Sequence, residues 1–98
     1  MNLDECRKKI DQIDMQVLLL LNQRAETAKH IGLLKAQAGI PIVDADRETK
    51  ILQKVSRDNS GELSDEAVAR IYRQILLESR QIQVNVRSII VRSGEMSK

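Results

Sequence analysis

The chain has 98 residues, which is enough for one domain and too few for two. Its net charge of +2 is too small to indicate nucleic-acid binding by field alone, and its one aromatic residue, Tyr72, gives no stacking surface for single strands. The longest apolar run, Val17 to Leu21, is far too short to cross a bilayer, so neither nucleic acid nor a membrane is expected as a partner.

The first predicted element is a helix from Leu3 to about Gln37. Apolar residues recur in it at helical spacing, with polar residues between them: Ile10, Ile13, Val17, Leu20, Leu21, Ala25, Ala28, Ile31 and Leu34. Asn2 or Asp4 is suited to cap its start, and Gly39 is suited to the position just past its end.

The length of this helix predicts a second copy of the chain. A helix of about 35 residues is roughly 50 Å long, whereas a globule of about 100 residues has a radius of gyration of only about 13 Å. The helix therefore overhangs any core that one chain can build, and its apolar stripe continues over the overhang. Two copies related by two-fold symmetry would cover that stripe most economically.

Two further helices are predicted. The second runs from Ala45 to Ser56 with Asp44 as its cap, and the third follows the cap Ser64 and runs to about Val91. The tail from residue 92 to 98 is small and polar, and we expect it to fray. Few aromatics and many Leu, Lys, Glu, Gln and Arg favour helices throughout. The predicted fold class is all-α, with one long, one short and one medium helix in a single domain over residues 1–98.

Positive side chains lie along the apolar stripe of the first helix. Arg24 and Lys35 are 11 residues apart, three turns plus about 20°, and therefore share a face with Ala28 and Ile31. Charge placed there is costly unless an anion compensates it. Arg7 lies 17 residues before Arg24, about 100° away around the axis and about 25 Å along it. It can join such a pocket only in a partner chain whose long helix runs antiparallel.

The other helices add polar groups that could face these cations. Asp44, Arg47 and Glu48 recur at spacings of three and four at the start of the second helix, and Ser79 and Gln83 interrupt an aliphatic stripe on the third. The set contains no histidine, no cysteine and no metal-ligand cluster. It is poorly suited to proton transfer or nucleophilic attack, and well suited to gripping a small dianion and stabilising charge on an oxygen.

Each of these residues also has an ordinary structural interpretation. Lys35 near a helix end complements the helix dipole, and Arg47 with Glu48 could be a solvated pair. Ser79 and Gln83 could form an exposed polar flank of the third helix. These interpretations are the more common ones when each residue is taken alone.

Five segments, in order and at the expected separations, resemble the all-helical chorismate mutases. They cover residues 3 to about 85: 3–14, 20–24, 31–35, 41–48 and 79–83. The resemblance implies an intertwined three-helix homodimer with two sites. It also implies conversion of chorismate to prephenate by an intramolecular Claisen rearrangement, on the path to phenylalanine and tyrosine.

The resemblance also implies roles for the cations and the amide. Arg24 and the partner's Arg7 would bind the two substrate carboxylates. Lys35 would contact a carboxylate and the ether oxygen, and Gln83 would donate to that same oxygen.

The remaining site residues would hold the ring. Glu48 and the backbone at Asp44 would bind its hydroxyl, Ser79 would support its carboxylate, and Arg47 would line the site. The rearrangement moves no proton, so it needs only orientation of the enolpyruvyl arm and donors at the oxygen that gains charge. No cofactor and no metal are expected.

Two alternatives stay open. An isochorismate-pyruvate lyase is similar in fold and uses a comparable cationic pocket. A non-catalytic dimerisation or regulatory module would also use a long amphipathic helix, although it needs no cations on its apolar stripe. The single cysteine, Cys6, and the polar, acidic start indicate a reduced, cytoplasmic location.

Overall fold

A computed structural model describes residues 1–94, which form three helices. Helix α1 spans Leu3–Ala38, α2 spans Ala45–Asp58 and α3 spans Asp65–Ser93. The all-α prediction is confirmed, but α3 is long rather than medium, with 29 residues against 36 in α1. Fraying was expected from residue 92, and this is wrong for Arg92 and Ser93, which are helical. For residues 95–98 that expectation lies outside the described residues.

Side-chain caps define where each helix begins. Asn2, Asp44 and Ser64 each accept a hydrogen bond from the backbone N–H three residues on, at 2.8, 3.0 and 3.1 Å. Each bond satisfies one of the N–H groups that a helix start leaves without an intrahelical partner. Asp4, the other candidate cap for α1, lies in its first turn, where its charge complements the dipole. Gly39 ends α1 in the left-handed region at φ 68°.

Helix α3 is the centre of the chain, because α1 and α2 both pack against it. The buried residues of α1 are small and four positions apart, namely Ala28, Gly32 and Ala36. Their size brings α1 close to α3: a Cβ added at Gly32 would lie 3.1 Å from the Cα of Gln83. The rest of the core is aliphatic and comes from α3, where Leu76, Val86 and Ile90 are buried.

The first half of α1 projects beyond this core, as its length predicts. Every residue from 1 to 23 is exposed, including large apolar side chains such as Leu18 and Leu20, each 62% exposed. The chain measures 62 × 27 × 14 Å and has a radius of gyration of 17.4 Å, well above the value of about 13 Å for a compact chain of this size. Over residues 1–94, no helix combines the length and the hydropathy needed to cross a membrane.

Candidate active site

A cavity of about 470 Å³ lies between the three helices. It collects all of the predicted site residues except Arg7. Helix α1, the connection to α2, α2 itself and α3 all contribute to its lining: Arg24, Thr27, Ala28, Ile31, Lys35, Ile42, Asp44, Arg47, Glu48, Ile51, Leu76, Ser79, Arg80 and Gln83. Cationic and hydrogen-bonding groups thus share one hollow with aliphatic walls.

The wall formed by α1 follows from helical spacing. Arg24, Ala28, Ile31 and Lys35 are separated by three or four residues, and all four line the cavity. The predicted shared face is therefore confirmed. Ala28 is buried between the two cations, and an apolar wall of this kind strengthens the interaction of nearby charges with a bound anion.

Lys35 and Gln83 meet at the wall of the cavity. The Lys35 ammonium donates to Gln83 Oε1 at 3.0 Å and to the backbone carbonyl of Ile42 at 2.7 Å. An ammonium has three donors, so one N–H remains for a ligand. Gln83 is only 7% exposed, so its interpretation as part of an exposed polar flank is wrong. Because its Oε1 accepts from Lys35, its Nε2 is the group left to donate.

Arg24 and Ser79 form a second polar pair. The Arg24 guanidinium donates through Nη1 to Ser79 Oγ at 2.5 Å, in a partly buried position. This bond uses the hydroxyl as an acceptor, so the hydroxyl hydrogen stays free to donate. The two residues together keep several donors available at the wall of the cavity.

The start of α2 forms the more open rim. Asp44 and Arg47 are exposed, and the Asp44 carboxylate accepts from the backbone N–H of Arg47 as the helix cap. Glu48 is half-buried, and it does not pair with Arg47. Its carboxylate accepts two hydrogen bonds from Arg80 on α3, one from Nε to Oε2 at 2.6 Å and one from Nη2 to Oε1.

Arg80 is a charged residue of the cavity wall for which the sequence predicts no role. The hydrogen bond to Glu48 raises the pKa of the Arg80 guanidinium above its ordinary value. Arg80 follows Ser79 directly, so it lies about 100° around α3 from the side that faces Arg24. A half-buried carboxylate needs a partner, but the sequence alone shows neither the burial of Glu48 nor which cation faces it.

Arg7 does not line the cavity of its own chain, in line with its distance from Arg24 along α1. It is exposed on the projecting half of α1. His30 and Cys6 are also exposed. Across residues 1–94 there is no group of three or more histidine, cysteine, aspartate or glutamate side chains placed to hold a metal.

Known proteins resemble the chain over most of its length. The family model described as chorismate mutase type II matches residues 6–84. A bifunctional chorismate mutase/prephenate dehydratase of Aquifex aeolicus is 45% identical over 78 residues, and one of Neisseria gonorrhoeae is 38% identical over 77. These alignments cover 76% and 79% of this chain but 22% and 21% of the relatives, so the chain spans about a fifth of their length. A chorismate mutase of Methanocaldococcus jannaschii is 40% identical over 76 residues, which is 78% of this chain and 77% of that protein.

Proposed function

The chain belongs to the chorismate mutase type II family, and from this premise we propose that it converts chorismate to prephenate. The observation that carries the proposal is the Lys35–Gln83 pair, which presents two kinds of free donor to a cavity of about 470 Å³. A volume of this order suits a small organic acid. Residues 1–98 would act as one catalytic domain.

Binding of the substrate depends on its two carboxylates. Arg24 and Ser79 would take one of them through the donors that their mutual bond leaves free. The partner's Arg7 would take the other, and Arg47 at the rim would add to the positive field. Holding both carboxylates fixes the enolpyruvyl arm over the ring, and this restriction is itself a large part of the rate enhancement.

The chemical step breaks the C–O bond of the ether as a C–C bond forms. No proton is transferred, and negative charge develops on the ether oxygen. The third N–H of Lys35 and the Nε2 of Gln83 would donate to that oxygen. Because Lys35 also donates to Gln83 Oε1 at 3.0 Å, it polarises the amide and makes Nε2 a better donor. Such fixed donors stabilise the transition state without having to reorganise.

The ring hydroxyl would be held at the start of α2. The Glu48 carboxylate would accept a hydrogen bond from this hydroxyl, and the backbone at Asp44 would also hold the hydroxyl. The lowest rate enhancements found for enzymes correspond to about 8 kcal/mol. Orientation of the arm, together with two charge-assisted donors, can supply that amount.

A second copy of the chain would complete the site. The exposed apolar stripe on the first half of α1 needs a partner, and Leu18 and Leu20 are two of its members. Two chains with antiparallel α1 helices would bury the stripes against each other in an intertwined dimer. The same arrangement would carry each Arg7 toward the cavity of the other chain.

The test is to supply purified protein with chorismate and to follow prephenate. We expect turnover by the wild type, and a loss of roughly 10²-fold to 10³-fold in kcat for Lys35→Met, the cost typical of removing one preorganised donor. Lys29→Met is the matched control, because Lys29 is exposed on the same helix. Unchanged chorismate at high protein concentration would defeat the proposal, and salicylate formed from isochorismate would favour the lyase instead.

A further inference from the structure

The ion pair between Glu48 and Arg80 joins α2 to α3 at the wall of the cavity. Both residues line it, and their side chains are 20% and 36% exposed. The guanidinium meets the carboxylate through Nε and Nη2, with one donor for each oxygen. This two-point arrangement restricts both the distance and the rotation of the carboxylate, which a single bond would leave free.

The two-point contact with Arg80 leaves lone pairs of the Glu48 carboxylate free to accept a hydrogen bond from a ligand. A carboxylate has about four acceptor directions, and Arg80 occupies one on each oxygen. The backbone of Glu48 is also fixed, since its N–H donates to the Asp44 carbonyl at 3.0 Å in the first turn of α2. The carboxylate therefore has a defined plane and still retains acceptor capacity in a cavity that also contains the donors of Arg24, Lys35 and Gln83.

We propose that Arg80 is a positioning residue. It holds the Glu48 carboxylate in the plane in which that carboxylate accepts a hydrogen bond from the substrate's ring hydroxyl. The inference rests on the function proposed above and adds a residue to it. Arg80 acts through Glu48 and makes no contact with the substrate. A substrate without the ring hydroxyl gains nothing from the arrangement.

This role predicts a loss that depends on the substrate. Arg80→Gln should reduce kcat/KM for chorismate by roughly 10-fold to 100-fold, the range for a misplaced hydrogen bond to a charged group. For a chorismate analogue that lacks the ring hydroxyl, the same variant should keep kcat/KM within about twofold of the wild type. Equal losses on the two substrates would overturn the proposal, because they would indicate direct carboxylate binding or general damage to the fold.

A double-mutant cycle gives a second test of the same role. If Arg80 acts only through Glu48, Glu48→Gln combined with Arg80→Gln should lose no more activity than the worse single variant. If the fold-losses in activity of the two single variants multiply in the double variant, Arg80 does not act only through Glu48. Arg80→Lys should recover only part of the activity, since lysine keeps the charge and loses the two-point geometry.

The matched control is Arg73→Gln. Arg73 lies seven residues before Arg80, two turns earlier on the same side of α3, and it is exposed. Its replacement should leave kcat/KM on both substrates unchanged. Thermal unfolding of each variant shows whether a loss of activity comes from a loss of folded protein. The ratio of kcat/KM between the two substrates reports only on the folded protein, because the folded fraction affects both values equally.

Discussion

Lys35 and Gln83 are 48 positions apart in the chain, and their side chains meet at 3.0 Å across the seam between α1 and α3. The contact orients the Gln83 amide, because its oxygen accepts from the ammonium and its nitrogen is left to donate. It also restrains Lys35, which donates to the carbonyl of Ile42 as well. An amide oriented in this way is a preorganised donor.

The first prediction concerns the amide of Gln83. In Gln83→Glu the introduced side chain can donate a hydrogen bond only when its carboxyl is protonated, and the nearby Lys35 ammonium favours the ionised form. We therefore expect kcat/KM to be highest at acidic pH and to fall about tenfold per pH unit as the carboxyl ionises. A pH–rate profile from pH 4 to 9 measures this.

Gln81→Glu serves as the control for that profile, because Gln81 is exposed on the same helix. It should follow the wild-type pH dependence. If the Gln83→Glu variant has the wild-type pH profile, Gln83 does not donate a hydrogen bond to the reacting ether oxygen.

The second prediction concerns sharing of the site between two chains. Arg7→Ala and Arg24→Ala should each be nearly inactive as homodimers, because each removes a carboxylate ligand from both sites. A mixed dimer regains one site with both arginines.

Random exchange makes about half of the dimers mixed, and each mixed dimer has one intact site of two. Total activity should therefore recover to about a quarter of the wild type. Unfolding and refolding the mixture, followed by the chorismate assay, measures the recovery, and its absence after confirmed exchange would mean that each chain builds its own site.

The third prediction concerns the close approach at Gly32. A methyl group there would lie 3.1 Å from Gln83 Cα and 3.3 Å from its Cγ, so Gly32→Ala must push α1 and α3 apart by a few tenths of an ångström. We expect the overpacking cost of about 1–3 kcal/mol to exceed the gain of about 1 kcal/mol in helix propensity. Because Gln83 moves with the seam, kcat should fall more than KM rises.

Gly61→Ala is the matched control for this change. No atom lies within 4 Å of a Cβ added at Gly61, and its φ is not positive. Its free energy of unfolding should stay the same or rise slightly. If Gly32→Ala behaves like Gly61→Ala in urea denaturation and in kcat, the seam does not position Gln83.

The fourth prediction concerns the cap of α2. Asp44→Ala removes the acceptor that the Arg47 N–H uses at 3.0 Å, and it should lower the free energy of unfolding by about 1 kcal/mol. Asp44→Asn keeps an acceptor and should cost only a few tenths of that amount. Urea denaturation measures both, with Asp46→Ala as a first-turn control that loses charge but no cap. Equal losses for Asn and Ala would mean that charge, not the cap bond, stabilises this helix start.

Features set by neighbours along the chain were predictable from the sequence. The caps Asp44 and Ser64, the glycine stop at Gly39 and the shared face of Arg24 and Lys35 all follow from local propensity and the 3.6-residue repeat. These signals need only a few residues on either side, and the structure confirms them.

Features set by the way helices lie against one another were not predictable. The burial of Gln83 depends on how closely α1 approaches, and that distance depends on the small residue Gly32 opposite it. The Glu48–Arg80 pair depends on the rotation of α3 about its axis relative to α2, which no local pattern specifies. The length of α3 was underestimated because its last apolar residue, Val91, is followed by polar residues that still continue the helix.

A crystal structure with an oxabicyclic dicarboxylate that mimics the transition state tests the central claim most directly. We predict that its ether oxygen lies within hydrogen-bonding distance, about 2.7–3.2 Å, of both Lys35 Nζ and Gln83 Nε2. An ether oxygen turned toward another wall of the cavity, with neither nitrogen in reach, would contradict the account.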